Sequence, residues 1–241
     1  MITEEENNLL TLTGKGTPCG ELMRRHWQPV ALSDELGADK PLPATILGEE
    51  LILFRDGEGK PALIGRYCAH QGVDMIYGCV EPDGLRCLYH GWLFDNCGKV
   101  VLRGDWLPEK ERRWDVGQAS YPCVERGGII FTYMGRGEAP TPSAGELFIN
   151  PPSSCTVTKV LRSENYLQRI ADGYEPTREA ARFVMPNLLV SQDSSTATET
   201  LARWHVPVDD NSHVEFCMRY VSAPHWLGEP QVSAHQVLLK A

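Results

Sequence analysis

Two short runs constrain this chain more than any other feature. Tyr67-Cys68-Ala69-His70-Gln71-Gly72 is followed by Cys87-Leu88-Tyr89-His90-Gly91-Trp92-Leu93-Phe94, with sixteen residues between His70 and Cys87. The pattern is Cys-x-His, then Cys-x-x-His. Two thiols and two imidazoles in this order suit a [2Fe–2S] cluster in which two thiolates hold one iron and two imidazoles hold the other. Neutral imidazole compensates less charge than thiolate, so such a centre accepts an electron more readily than an all-Cys one. The range is roughly −150 to +300 mV, against about −400 mV for plant-type ferredoxins. Cys68, His70, Cys87 and His90 are therefore the candidate ligands. Gly72 and Gly91 each follow a ligand His, where the chain must turn sharply. Trp92 and Phe94 can shield one side of the site. Two Cys and two His also suit tetrahedral zinc. Zinc modules usually pair Cys-x-x-Cys with His-x-x-x-His, and the mixed pattern here favours the cluster.

Bulk properties exclude several classes. The chain has 241 residues, enough for one large domain or two small ones. Its net charge of −9 argues against nucleic acid or an anionic membrane as main partner. No apolar run approaches a membrane span. The acidic start Met1-Ile2-Thr3-Glu4-Glu5-Glu6 lacks the basic and apolar regions of a signal peptide, so the expected location is cytoplasmic. The six remaining cysteines (Cys19, Cys79, Cys97, Cys123, Cys155 and Cys217) have no paired spacing and are expected as free thiols.

Local patterns predict an α+β chain: an antiparallel β domain carrying the ligand loops, then a second α+β domain. Residues 1–26 read as a loose polar lead and a short helix, with Thr17 as N-cap, Pro18 in the first turn and a body through Glu21–Arg25. Hairpins are predicted at Leu51–Phe54 with Ala62–Ile64, at Leu93–Phe94 with Val100–Leu102, and at Tyr121–Val124 with Ile129–Tyr133. Together these define a β domain over 27–134, with the ligand loops at hairpin tips. The Gly-, Pro- and Ser-rich stretch 135–155 reads as a linker. Beyond it, 156–241 holds a strand at Thr156–Leu161, a helix starting within Ser163–Ala171, and strand-like runs at Val184, Leu188–Val190, Thr198–Val206 and Val214–Val221. So small a second unit is expected to leave sheet edges and apolar faces open, which invites self-association, so the second half is expected either to be poorly ordered or to need a partner chain.

Further signatures carry a resemblance. They are Gly16-Thr17-Pro18-Cys19-Gly20-Glu21-Leu22, His26-Trp27-Gln28-Pro29-Val30, Leu47-Gly48-Glu49-Glu50-Leu51, Phe54-Arg55-Asp56, both ligand runs, Gly98-Lys99-Val100, Arg182–Asn187 and Trp204–Asp210. With these the chain resembles Rieske non-haem iron aromatic ring-hydroxylating oxygenase α subunits of the phthalate dioxygenase-like branch. The resemblance implies a Rieske domain followed by a helix-grip-like catalytic domain, shortened here. It implies electrons arriving from a reductase or ferredoxin and head-to-tail homotrimers. It also implies a mononuclear Fe(II) that activates O₂. Respiratory Rieske proteins carry an extra Cys in each ligand loop. Val73 and Tyr89 stand at those places, which points to the oxygenase or ferredoxin type.

The second metal is where the resemblance breaks. A two-His, one-carboxylate site leaves positions open for O₂. Asn165-Tyr166-Leu167-Gln168 matches the family motif that precedes it. In register, Glu175 then falls at the bridging carboxylate, Arg178 at the first His and Phe183 at the second. Arg stays protonated and Phe has no donor, so neither ligates iron. The late carboxylate has no evident counterpart after Asp210. His205, His213, His225 and His235 lack helical ligand spacing and read as solvated or hydrogen-bonded. Asp209-Asp210 reads as a strand-end turn. The expectation is a cluster without mononuclear iron. Three functions follow: an oxygenase-class oxidoreductase, an electron-transfer protein, or an inactive family remnant.

Overall fold

The computed structural model describes residues 3–102, 116–142, 155–173, 182–192 and 199–221. The chain is α+β, and its sheets are antiparallel throughout the described residues. The N-terminal lead is not loose. Glu4–Thr11 form helix α1, because Thr3 accepts from the Glu6 amide and the Glu6 carboxylate accepts from the Thr3 amide at 2.8 Å. This capping box satisfies two otherwise orphaned donors, and Glu4–Glu6 favour the positive end of the helix. Helix α2, Pro18–Arg24, starts as the sequence predicts, with Thr17 capping the Gly20 amide.

Strand β1 (Trp27–Leu32) carries Pro29 at a register break, and its partner β11 (Ile129–Tyr133) lies a hundred residues away. With β10 (Cys123–Arg126) they form one sheet, in the order β1-β11-β10. The strands β2 (Leu42–Ile46), β3 (Glu49–Arg55), β4 (Pro61–Gly65) and β9 (Ser120–Tyr121) form a second. A third joins β5 (Cys79–Glu81), β6 (Gly84–Arg86), β7 (Leu93–Phe94) and β8 (Val100–Leu102). Gly84, at φ 144°, takes a backbone path where a Cβ would collide with the Phe94 carbonyl.

Past residue 154 comes a five-stranded sheet in the order β12-β16-β15-β14-β13. It comprises β12 (Cys155–Arg162), β13 (Arg182–Val184), β14 (Leu188–Gln192), β15 (Glu199–Pro207) and β16 (His213–Val221), with helix α3 (Tyr166–Gly173) over one face.

Two apolar cores result. Strand β3 feeds both, because alternate side chains of a strand point to opposite faces. Ile52 and Phe54 join Ile64, Met75, Leu85, Trp92 and Phe94 around the ligand loops. Leu51 and Leu53 join Trp27, Ile130 and Phe131, and this core continues into Leu188, Ala202, Trp204, Phe216 and Met218 of the five-stranded sheet. Phe131 and Trp204 meet edge to face at 5.7 Å. The amides of Leu47 and Gly48 bond the carbonyls of Pro207 and Val208, each at 2.8 Å. The apolar face expected to need a partner chain is thus covered by the first half of the same chain.

Candidate metal centre

Both ligand loops close with one hydrogen-bond register. The Cys68 amide donates to Val73 O at 2.8 Å, and the Gly72 amide returns to Cys68 O at 2.7 Å. The Cys87 amide donates to Trp92 O at 2.8 Å, and the Gly91 amide returns to Cys87 O at 3.0 Å. Gly72 and Gly91 have φ of 71° and 69°, the left-handed region each turn requires. The loops differ only in where the imidazole sits, two residues after Cys68 and three after Cys87.

An arginine ahead of each cysteine braces its loop. Arg66 grips the Asp74 carboxylate (2.7 Å) and reaches Glu50 (3.0 Å), while Asp74 also accepts from the Ile76 amide. The guanidinium holds the Asp74 carboxyl below the usual carboxylate range. Arg86 pairs with both oxygens of Glu81 and donates to Gly91 O at 2.8 Å. Arg86 thereby holds the glycine that turns the second loop. These braces were missed in the sequence. Their signal is a basic residue one or two places before each ligand Cys, with an acid nearby.

The candidate ligands meet in two pairs, Cys68 with Cys87 and His70 with His90. Cys68 and Cys87 are buried and share a hydrogen bond, whereas His70 and His90 are half-buried, with their Nδ1 atoms 3.0 Å apart. Two nitrogens on one tetrahedral metal at about 2.0–2.1 Å stand roughly 3.3 Å apart, so the imidazole pair can close on one ion with little movement. The hydrogen bond shared with Cys68, helped by the amides of Tyr89 and His90, lowers the Cys87 thiol, and the Cys68 thiol is raised in turn. A shared proton favours thiolate character at Cys87, and thiolate is the form that binds metal. A sulfur pair and a nitrogen pair are the donor set of a Rieske cluster, one iron for each pair. The buried Trp92 indole lies parallel to the His70 ring at 4.5 Å and 8°, as the expected shield. The exposed Tyr89 ring lies over His90 at 3.9 Å. None of the eight cysteines forms a disulfide.

The region matching the second-metal motif is arranged differently. Asn165 gives its amide hydrogens to Thr11 O and Asp210 O, and its oxygen caps the Leu167 amide. Tyr166 donates to Leu10 O at 2.7 Å. Glu175, Arg178, His225 and His235 lie outside the described residues. Phe183 pairs with Leu189 in the sheet. Asp209 accepts from the Asn211 amide and Ser212 hydroxyl, a strand-end turn as read from the sequence. His205 and His213 are buried and face each other, Nδ1 to Nε2, at 3.3 Å. His213 Nδ1 meets the Glu164 carbonyl at 2.8 Å. Among the described residues, at the ligand loops as in this half, no three His, Cys, Asp or Glu side chains are grouped to hold a single metal ion; the ligand loops instead present a sulfur pair and an imidazole pair. No helix among the described residues is long and apolar enough to cross a membrane.

Residues 26–110 match the Rieske [2Fe-2S] domain model. The tert-butanol monooxygenase / tert-amyl alcohol desaturase oxygenase subunit of Aquincola tertiaricarbonis is 46% identical over 123 residues, which are 51% of this chain and 26% of that protein. The phenoxybenzoate dioxygenase subunit alpha of Ectopseudomonas oleovorans is 49% identical over 127 residues, 52% of this chain and 31% of that protein. The terminal oxygenase of carbazole 1,9a-dioxygenase from Novosphingobium sp. KA1 shares the fold, with a TM-score of 0.67 at 18% identity over 86% of this chain and 76% of that one. The matches thus span about a third or less of the two sequence relatives' length.

Proposed function

We propose that this chain, which carries a Rieske [2Fe–2S] domain joined to a sheet of the terminal-oxygenase type, is an oxidoreductase component that accepts electrons from a reductase or ferredoxin. Cys68, His70, Cys87 and His90 are its cluster ligands. The closing of two buried sulfurs on each other, and of two imidazoles on each other, at the ligand loops carries this reading. When bound, a cluster of this type takes up and releases one electron at a time. The protein's part is to hold the donors at set angles, to keep water from the sulfurs with Trp92 and Phe94, and to leave the imidazole edges within reach of a donor. Similarity to oxygenase subunits and an oxygenase complexed with ferredoxin supports both the class and the kind of partner. A family-like homotrimer belongs to the same reading, and neither nucleic acid nor membrane does.

The second half serves as scaffold rather than oxygen-activating centre in this proposal, because Arg178 and Phe183 stand where two histidines are required. The cluster is then the chain's one iron cofactor, with no mononuclear Fe(II). Iron and acid-labile sulfide analysis of purified protein tests both statements. Two irons and two sulfides per chain are expected. Zinc without sulfide would overturn the cluster, and a third iron would overturn the scaffold reading. The competing reading, a working oxygenase, is favoured by the fold match and would be established by O₂-dependent product formation.

A further inference from the structure

The two ligand imidazoles have opposite coverings. His70 has its face closed by Trp92, an indole with no solvent exposure that belongs to the core beneath the loops. His90 has its ring covered by Tyr89, which is 60% exposed and belongs to neither apolar core. The neighbouring Leu88 is 71% exposed and extends the same outer surface. The two rings meet edge to face, with centroids 4.7 Å apart. A reagent approaching His70 from the Trp92 side meets packed protein. A reagent approaching His90 from the Tyr89 side meets a ring that is itself largely exposed to solvent.

We infer that Tyr89 is the residue that limits access to the cluster's outer edge, and that the His90 side is the port it guards. The inference rests on His90 being a ligand. Tyr89 acts through His90 and is a positioning and shielding residue, not a catalytic one. A ring over the imidazole narrows the approach of a small ion by its bulk, while its apolar face can pack against a partner surface. The step concerned moves one electron between the reduced centre and an outer-sphere oxidant, with no bond made or broken.

Stopped-flow oxidation of the dithionite-reduced holoprotein by ferricyanide tests this, alongside the visible and EPR spectra of the same samples. Tyr89→Ala should keep the spectra and raise the second-order rate about threefold or more, because encounter rates scale with the fraction of approaches that reach the reactive patch. Tyr89→Phe keeps the ring and should keep the wild-type rate. Tyr77→Ala removes another exposed ring, 69% exposed, and should change nothing. An unchanged rate in Tyr89→Ala, or an equal rise in Tyr77→Ala, overturns the inference. A wild-type protein without a Rieske spectrum would overturn the ligand assignment instead. If Tyr89→Ala alone lost the spectrum, Tyr89 would be a structural support of the loop and the shielding role would be wrong.

Discussion

Two histidine pairs lie among the described residues, one in each half. His70 and His90 bring their Nδ1 atoms to 3.0 Å beside a buried pair of sulfurs. His205 and His213 approach almost as closely, at 3.3 Å, and are more deeply buried. Proximity alone does not distinguish them, but their surroundings do. In the second pair, His213 Nδ1–H donates to the Glu164 carbonyl, leaving Nε2 to accept from His205 Nδ1–H. That directional chain orders a sheet face beneath a helix. In the first pair, two like atoms face each other, an arrangement that a shared metal completes. The difference teaches that a metal-binding histidine is recognised by what its nitrogens and their neighbours converge on, not by distance to another histidine.

The strongest way to break the comparison is to remove one member of each pair. Cys68→Ser or His90→Ala should abolish the visible and EPR signature of the cluster, whereas His205→Asn should leave it in place. A full cluster spectrum in either ligand variant, or its loss in His205→Asn protein that remains folded, would reverse the assignment.

Acidity sharpens the contrast next. Burial holds His205 down to about 4, from an ordinary 6.5, despite the nearby Glu215; His213, Arg169 and Arg203 push the same way as burial. Between those values the unfolded chain binds a proton that the folded chain does not, so stability falls as pH drops from 6.5 to 4 and is fully present above that window. The whole effect is about 3 kcal/mol. Urea midpoints of wild type and His205→Asn, compared at pH 7.5 and 5, should show the smaller acid loss in the variant. An identical pH dependence would refute this origin.

The smallest effect concerns the N-terminal helix, which ties to the second half through Thr11 and Leu10. Thr3→Ala removes its capping box and should cost about 0.5–1 kcal/mol by urea melt, with the cluster spectrum unchanged. No loss would show that α1 is held by those ties alone.

The ligand loops and most hairpins were legible in the sequence because their determinants are local: Gly turns, short apolar runs and fixed donor spacing. The turn at Asp209 was legible for the same reason. Helix α1 was missed although Thr3-x-x-Glu6 is a capping-box signal, since its residues bury little and show weak apolar periodicity. Strand β1 was missed because Pro29 masks it and its partner is far along the chain. The arginine braces depend on which acids the turns bring near Arg66 and Arg86. The shared core is the least local feature of all. Nothing near Trp204 announces that Phe131 will meet it, so a second half read by itself looks uncovered.

Strand β3 also limits how such a chain can change. Leu51 and Leu53 wall one interior while Ile52 and Phe54 wall the other. Inserting a single residue there would swap the two sets, sending each side chain into the opposite chamber. Surface loops can lengthen or shrink over generations with little consequence, but this seven-residue ribbon cannot drift by even one position. It is the place where the history of the redox half and that of its companion sheet are bound together.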